Sequence, residues 1–277
     1  MLNDHKAINT GNQQGRYLLF LDILGFSELV KTKEAEEIYA IINKSLKSFK
    51  RWEELNGCFK TIYFSDTFIF YQQTNEYGSW AFLDIYAIGG MVLSALLASG
   101  IPARGAISFG EFEVNLDSAG HHQVYFGKAL IEAYQAEQLE KWIGITILPS
   151  AWEPYETENP GIINSFAHDK AWLKRDDGVL LLNPFIKLRS WYLSDCIGEV
   201  DKPYSQWDSP EFSNDIKGFK FLREKAKFYL EKNDFTSSEA IKHHATIHFL
   251  KRILGEEIYN WGEQASLPIN FSPGIDS

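Results

Sequence analysis

One stretch constrains this chain more than any other: Tyr17-Leu18-Leu19-Phe20-Leu21-Asp22-Ile23, a nearly unbroken apolar run with a carboxylate near its end. Alternating polarity would mark a half-buried strand. A continuous run suits a central strand buried on both faces. Asp22 then lies where that strand gives out. Gly25-Phe26-Ser27 follows as a turn or helix start. From Glu34 to Leu55, Ile38, Ile41, Ile42, Leu46, Phe49 and Trp52 recur at helical spacing, and Gly57 stops the helix.

The runs Phe59 to Ile62 and Thr67 to Tyr71 are rich in β-formers, with Ser65-Asp66 between them. They predict a tight hairpin with an acid at its tip. A helix over Ser79 to Ser99, stopped by Gly100 and Pro102, precedes a strand from Ala103 to Phe109. Glu111 to Asn115 and Gln123 to Phe126 form a hairpin around Asp117-Ser118-Ala119-Gly120. A helix from Lys128 to Trp142 and a strand from Ile143 to Leu148 follow. This β-α-β-β-α-β order predicts an α+β, ferredoxin-like fold with an antiparallel sheet and helices on one face.

The expected domains are a flexible N-terminus over 1–15, a catalytic-like domain over 16–175 and a mostly helical extension over 176–277. The extension has one strand at Val179 to Leu182, helices at Phe212 to Glu231 and Ser238 to Leu254, and a trailing end from Leu267.

Trp80 to Ile101 is the most apolar stretch, but Asp84 leaves too short an uncharged run to span a bilayer, so a buried helix is expected. Two cysteines, Cys58 and Cys196, do not make a disulfide framework. With no signal peptide in view, a cytoplasmic location is expected. The net charge of −10 disfavours polymeric nucleic acid as a partner. An acidic chain can still hold a polyphosphate through metal ions and a few local donors.

Asp22 and Asp66 carry the chemical expectation. Singly, an acid at a strand end is often a cap, and one at a hairpin tip is often a turn former. In a split βαβ sheet, however, these two elements are neighbours, so the carboxylates meet at one end of the sheet. Close carboxylates repel, and divalent ions such as Mg²⁺ or Mn²⁺ relieve that repulsion. The free N–H groups of the helix opened by Gly25, Phe26 and Ser27 suit phosphate oxygens.

Four stretches resemble class III nucleotide cyclases. Phe20-Leu21-Asp22-Ile23-Leu24-Gly25-Phe26-Ser27 looks like the first metal motif, and Ile62-Tyr63-Phe64-Ser65-Asp66-Thr67 like the second metal-binding hairpin. Arg104-Gly105-Ala106-Ile107-Ser108-Phe109-Gly110 resembles the R-x-G-I-x-x-G strand, with Ala106 at its first glycine. Gly127-Lys128-Ala129-Leu130-Ile131-Glu132-Ala133 resembles a G-x-x-V-N-x-A helix start. The resemblance covers about residues 16–150. It implies two divalent ions, Mn²⁺ or Mg²⁺, held by Asp22, Asp66 and the Ile23 carbonyl, and a triphosphate cradled by Gly25, Phe26 and Ser27. It also implies a nucleoside triphosphate substrate and a homodimer with active sites at the interface.

This chain departs from the family where the family reads purines. Ile62 replaces the base-reading lysine, Val124 falls near the base-reading aspartate, and Ile131 and Gln135 take the asparagine and transition-state arginine positions. Two readings follow: a site without turnover, which would sense a nucleotide, or a site for another base. Leu21-Asp22-Ile23-Leu24-Gly25-Phe26, Phe64-Ser65-Asp66-Thr67 and Ala129-Leu130-Ile131-Glu132-Ala133-Tyr134 look like the pyrimidine cyclases of bacterial Pycsar antiphage systems. Those make cyclic UMP or cyclic CMP, which activates a separate TIR or membrane effector. Ile62 and Tyr63 are candidate base-pocket residues, and Arg104 and Lys128 candidate triphosphate contacts.

Other features point elsewhere. His244 and His248 are four apart on a helix but lack the glutamate of an H-E-x-x-H site, and His121-His122 belongs to a hairpin loop. Gly127-Lys128 lacks P-loop spacing, and Cys58 has no evident histidine partner. Trp191, Phe221 and Phe249 read as core.

Overall fold

The structure, a computed structural model, describes residues 15–56, 59–72, 80–116, 123–186 and 210–264. The N-terminal lead-in up to residue 14, Cys58, the loop with His121 and His122, Trp191, Cys196 and the stretch from 265 lie outside the described residues.

The first strands are β1 (Arg16–Ile23), β2 (Phe59–Phe64), β3 (Thr67–Gln72) and β4 (Ala103–Gly110). A separate hairpin pairs β5 (Glu113–Leu116) with β6 (Gln123–Phe126), and β7 (Gly144–Ile147), β8 (Trp172–Lys174) and β9 (Leu180–Leu182) come later. Seven strands form one sheet in the order β2-β3-β1-β4-β7-β9-β8. Its pairs are antiparallel except β4 with β7, which is parallel. The inner order β2-β3-β1-β4 is that of the split βαββαβ unit, and the chain is an α+β fold with a mainly antiparallel sheet.

The unbroken apolar run of β1 is explained by its two faces. Side chains alternate along a strand, so Tyr17, Leu19, Leu21 and Ile23 enter one core while Leu18 and Phe20 enter another. The first core lies under α2 (Ala35–Asn56), α3 (Trp80–Ala98) and α7 (Pro210–Glu231). By length and composition α3 could cross a membrane, yet Phe82, Ile85, Ile88, Leu93, Leu96 and Leu97 are all fully buried in this core. Each stabilises the fold by about 1.5–3 kcal/mol relative to exposure. Ser94 Oγ–H donates to the buried Asp215 carboxylate at 2.6 Å and ties α3 to α7.

One expectation, of helices on one face only, is corrected here. Helices cover both faces, because α4 (Lys128–Leu139) packs with Ala129 and Ala133 on Leu18, Phe20 and Ala106, on the side away from α3. Small side chains at those positions let that helix lie close to the sheet. The segment after β1 also folds as a separate short helix, α1 (Phe26–Thr32), before α2 starts at Ala35. Lys33, extended at φ −127°, breaks the two apart.

After β7 come α5 (Pro149–Glu158) and α6 (Ile162–His168), and α8 (Ser238–Leu254) and α9 (Glu256–Gln264) end the described chain. The position expected as a domain boundary, near 175, falls in the turn joining β8 to β9, which pair as Lys174↔Leu180. Phe185, Ile216, Phe219, Phe249 and Leu250 share the first core with β1 and α3.

Candidate active site

Strand pairing puts the two acids together. Asp22 pairs with Thr67 across β1–β3 and with Arg104 across β1–β4. The tip of the β2–β3 hairpin therefore stands at the end of β1. The Ile23 N–H donates to the Asp66 carbonyl at 2.9 Å and locks the tip there. Ser65 completes the turn at φ 57°, a left-handed conformation uncommon for a residue with a side chain. At Gly105, opposite Leu21, a Cβ would stand 2.4 Å from the Phe20 carbonyl oxygen. Only glycine lets β4 lie that close beside the acid-bearing end of β1.

Asp22 lies on the α4 face, since it alternates in phase with Leu18 and Phe20. Its carboxyl pKa is pushed up to about 6, first by burial, then by the charges of Asp66 and Glu137. Arg104 and a hydrogen bond from the Thr67 hydroxyl, at 3.4 Å, oppose that rise. The net effect is a carboxylate held under electrostatic load, which a cation would relieve.

Arg104 is not available as a triphosphate contact. Its Nε and Nη2 both reach Glu137 at 2.5 Å, and Nη1 donates to the Glu140 carbonyl at 2.6 Å. The Glu137 side chain is fully buried and that of Arg104 is 11% exposed. Each compensates the other's charge, and together they pin α4 to β4. Glu137 was not expected from the sequence; it sits in the polar run Gln135-Ala136-Glu137-Gln138, where nothing marks one acid as buried.

Lys128 is also displaced from its expected role within one protomer. It starts α4 beside Gly110, whose strand partner is Arg16, at the far end of β1. Six residues of strand separate that end from Asp22, about 20 Å. Its ammonium is exposed and 3.4 Å from Glu111.

Ile62 and Tyr63 point to opposite faces, so one protomer cannot line a single base pocket with both. Ile62 packs with Ile69 on the α4 side, on the same face as Asp22. Tyr63 stacks on Phe68 at 4.7 Å on the other side. It borders an open groove of about 420 Å³ walled by Phe26, Val30, Ile38 and Tyr39. Burial and the nearby Asp66 raise the Tyr63 hydroxyl pKa.

Gly25 has φ 76° and precedes α1 without a side-chain cap. The first helical bonds run from Glu28 and Leu29 to the Gly25 carbonyl. The N–H groups of Phe26 and Ser27 therefore stand outside the helix's own ladder, just past Asp22. Ile131, Tyr134 and Gln135 are exposed on α4, with Val124 and Phe126 exposed on β6.

Among the described residues no group of three or more His, Cys, Asp or Glu side chains could hold a metal ion unaided. A pair of carboxylates suits Mg²⁺ or Mn²⁺ when substrate phosphates and water complete the oxygen shell. His244 is turned to Phe235, whose ring it stacks on at 5.5 Å, while His248 is exposed on α8.

No protein-family model matches the chain, and no curated protein matches it. Solved structures similar to it include the monomeric guanylyl cyclase domain of the RhoGC fusion protein from the aquatic fungus Blastocladiella emersonii. That likeness has 13% identity and a TM-score of 0.48, over 61% of this chain and 95% of that one. The guanylate cyclase domain of RhGC from Catenaria anguillulae, in complex with GTP, has 13% identity and a TM-score of 0.44, over 61% and 94%. The adenylyl cyclase CyaB from P. aeruginosa has 14% identity and a TM-score of 0.41, over 61% and 94%. Likenesses of this extent carry no argument about substrate or chemistry.

Proposed function

We propose that this chain is a metal-dependent nucleotide cyclase that converts UTP or CTP to the 3′,5′-cyclic monophosphate and pyrophosphate. The observation that carries the reading is the meeting of Asp22 and Asp66 at one sheet end, with the Asp22 pKa raised to about 6. Asp22, Asp66 and the Ile23 carbonyl would hold two divalent ions, Mn²⁺ or Mg²⁺. Those ions, when bound, supply a lowered pKa at the 3′-hydroxyl and neutralise charge on the triphosphate. The N–H groups of Phe26 and Ser27, freed by the turn at Gly25, orient phosphate oxygens. The 3′-oxygen bonds to the α-phosphorus as the bond to the bridging α,β-oxygen breaks; the hydroxyl proton goes to solvent, and pyrophosphate departs.

Ile62, on the Asp22 face, offers an apolar contact where an adenylate cyclase would offer its adenine-reading lysine. That supports a smaller base. The reading includes a homodimer, in which Lys128, at the end of β1 far from Asp22 in its own protomer, would reach a nucleotide held by a second copy. It also includes a role in antiphage defence, with the cyclic product activating a separate TIR or membrane effector.

The test is incubation with Mn²⁺ and each of ATP, GTP, CTP and UTP, with products identified by mass spectrometry. A cyclic pyrimidine nucleotide that vanishes in Asp66→Ala is the expected result. A purine product would overturn the base assignment. A folded dimer that turns over none of the four would favour a nucleotide sensor.

A further inference from the structure

Arg104 stands where an internal counter-ion for the two acids would stand. It pairs with Asp22 across β1–β4. Directly opposed residues of an antiparallel ladder share one face, about 5 Å apart at Cβ. A guanidinium so placed is suited to a bidentate grip on the nearby carboxylate. It turns to α4 instead: Nε and Nη2 go to Glu137 at 2.5 Å, and Nη1 goes to the Glu140 carbonyl at 2.6 Å.

Glu137 is fully committed to this arrangement. Its Oε1 takes both Arg104 contacts, and its Oε2 accepts from the Gln138 amide at 2.7 Å. The neighbouring acid is occupied: Glu140 holds Arg175 at 2.9 Å, and Arg175 also reaches Asp177 at 2.7 Å. Compensation of the Arg104 charge therefore falls to Glu137.

Pinning a helix is a weak reason for such a pair. A buried ion pair costs its desolvation and gains little over an apolar contact. The α4 helix is already seated by Ala129 and Ala133, and the Ser108 hydroxyl donates to the Ala129 carbonyl at 2.8 Å. Both partners also act on the acid end of the sheet. The Glu137 charge raises the Asp22 pKa, and the Arg104 charge lowers it.

We propose that Glu137 is a positioning residue for the metal site: by holding Arg104 on α4, it keeps the guanidinium charge off Asp22 and Asp66 and leaves both carboxylates to a divalent cation. The inference rests on the two-metal reading above. Without the Glu137 charge, Arg104 has two courses. It closes on Asp22 and competes with the metal directly, or it stays in place with its charge uncompensated beside Asp22. Either course opposes a dication, and in a partly buried site salt screens that opposition little.

The test counts free Mn²⁺ by electron paramagnetic resonance as the ion is titrated into the full chain without nucleotide. Wild type should bind it, and Asp66→Ala should not. Glu137→Gln should bind it at least tenfold more weakly, about 1.4 kcal/mol. Adding Arg104→Gln to that variant removes the freed cation, and affinity should return to within about threefold of wild type. This second arm separates positioning from packing, because the double variant also lacks the ion pair between α4 and β4 yet carries no stray charge. If Glu137→Gln does not fold, the comparison runs between Arg104→Lys, Glu137→Gln and Arg104→Gln, Glu137→Gln. Those differ in the cation alone, and about the same tenfold difference is expected. Undiminished Mn²⁺ affinity in Glu137→Gln, or a double variant as weak as the single one, overturns the proposal and leaves the metal site standing. A wild type that holds no Mn²⁺ through Asp66 overturns the metal site and this proposal with it.

Discussion

The two faces of the sheet differ in how they are closed. On one, α2, α3 and α7 bury a deep core of large side chains, among them Phe49, Phe68, Phe82 and Phe219. On the other, α4 covers a small cluster of Leu18, Phe20 and alanines, leaving Ile131 57% and Tyr134 50% exposed. Asp22 belongs to the second face. The difference separates the two: the closed face supplies stability, and the open face leaves apolar α4 side chains uncovered.

The sharpest way to break this division is to remove the acid. Asp22→Ala should lower cyclisation at least a thousandfold, about 4 kcal/mol or more of barrier, with thermal unfolding at or above the wild-type temperature. Substantial turnover with Mn²⁺ in that variant would end the two-metal assignment.

Arg104→Ala tests whether the open face is free of structural burden. It leaves the Glu137 carboxylate buried without its partner, and a loss of about 3–5 kcal/mol is expected in denaturant unfolding. A loss under 1 kcal/mol would show that Glu137 relaxes into solvent and that Arg104 is free for phosphate after all.

Ile131→Asp sharpens the comparison at the exposed end of α4. Monomer stability should change by no more than about 0.5 kcal/mol. The dissociation constant of the proposed dimer, followed by sedimentation, should rise about tenfold or more, ~1.4 kcal/mol. Unchanged association would move the interface elsewhere.

The smallest effect concerns pH. The folded pKa of Asp22, about 6, lies above its ordinary value of 3.8. The folded state thus binds the proton more tightly, and that stabilisation is present below pH 4 and lost as pH rises through 6. Asp22→Asn should match the wild type near pH 4 and exceed it above pH 6 by about 1 kcal/mol, a figure discounted for partial exposure. Equal stability profiles for the two proteins would contradict the raised pKa.

Much of this arrangement was legible in the chain itself. The apolar run of β1, the Ser65-Asp66 break between two β-rich runs, and the glycine after Leu24 are local signals. Local propensity and side-chain alternation act over a few residues, so strand, hairpin and helix start could all be read from them. The meeting of Asp22 and Asp66 followed once the element order implied which strands are neighbours.

What tertiary structure alone decided involves residues whose meaning depends on partners far along the chain. Arg104 reads as a free cation until Glu137, 33 residues on, is found buried against it. Ile62 and Tyr63 read as a pair until the strand sends them to opposite faces of the sheet. The separation of α4 from α3 across the sheet likewise follows from packing, because small residues at Ala129 and Ala133 fit only the shallow face. Sequence determines which elements form, through short-range conformational preference. Their partners are chosen by burial and charge compensation, which sum over contacts between distant segments.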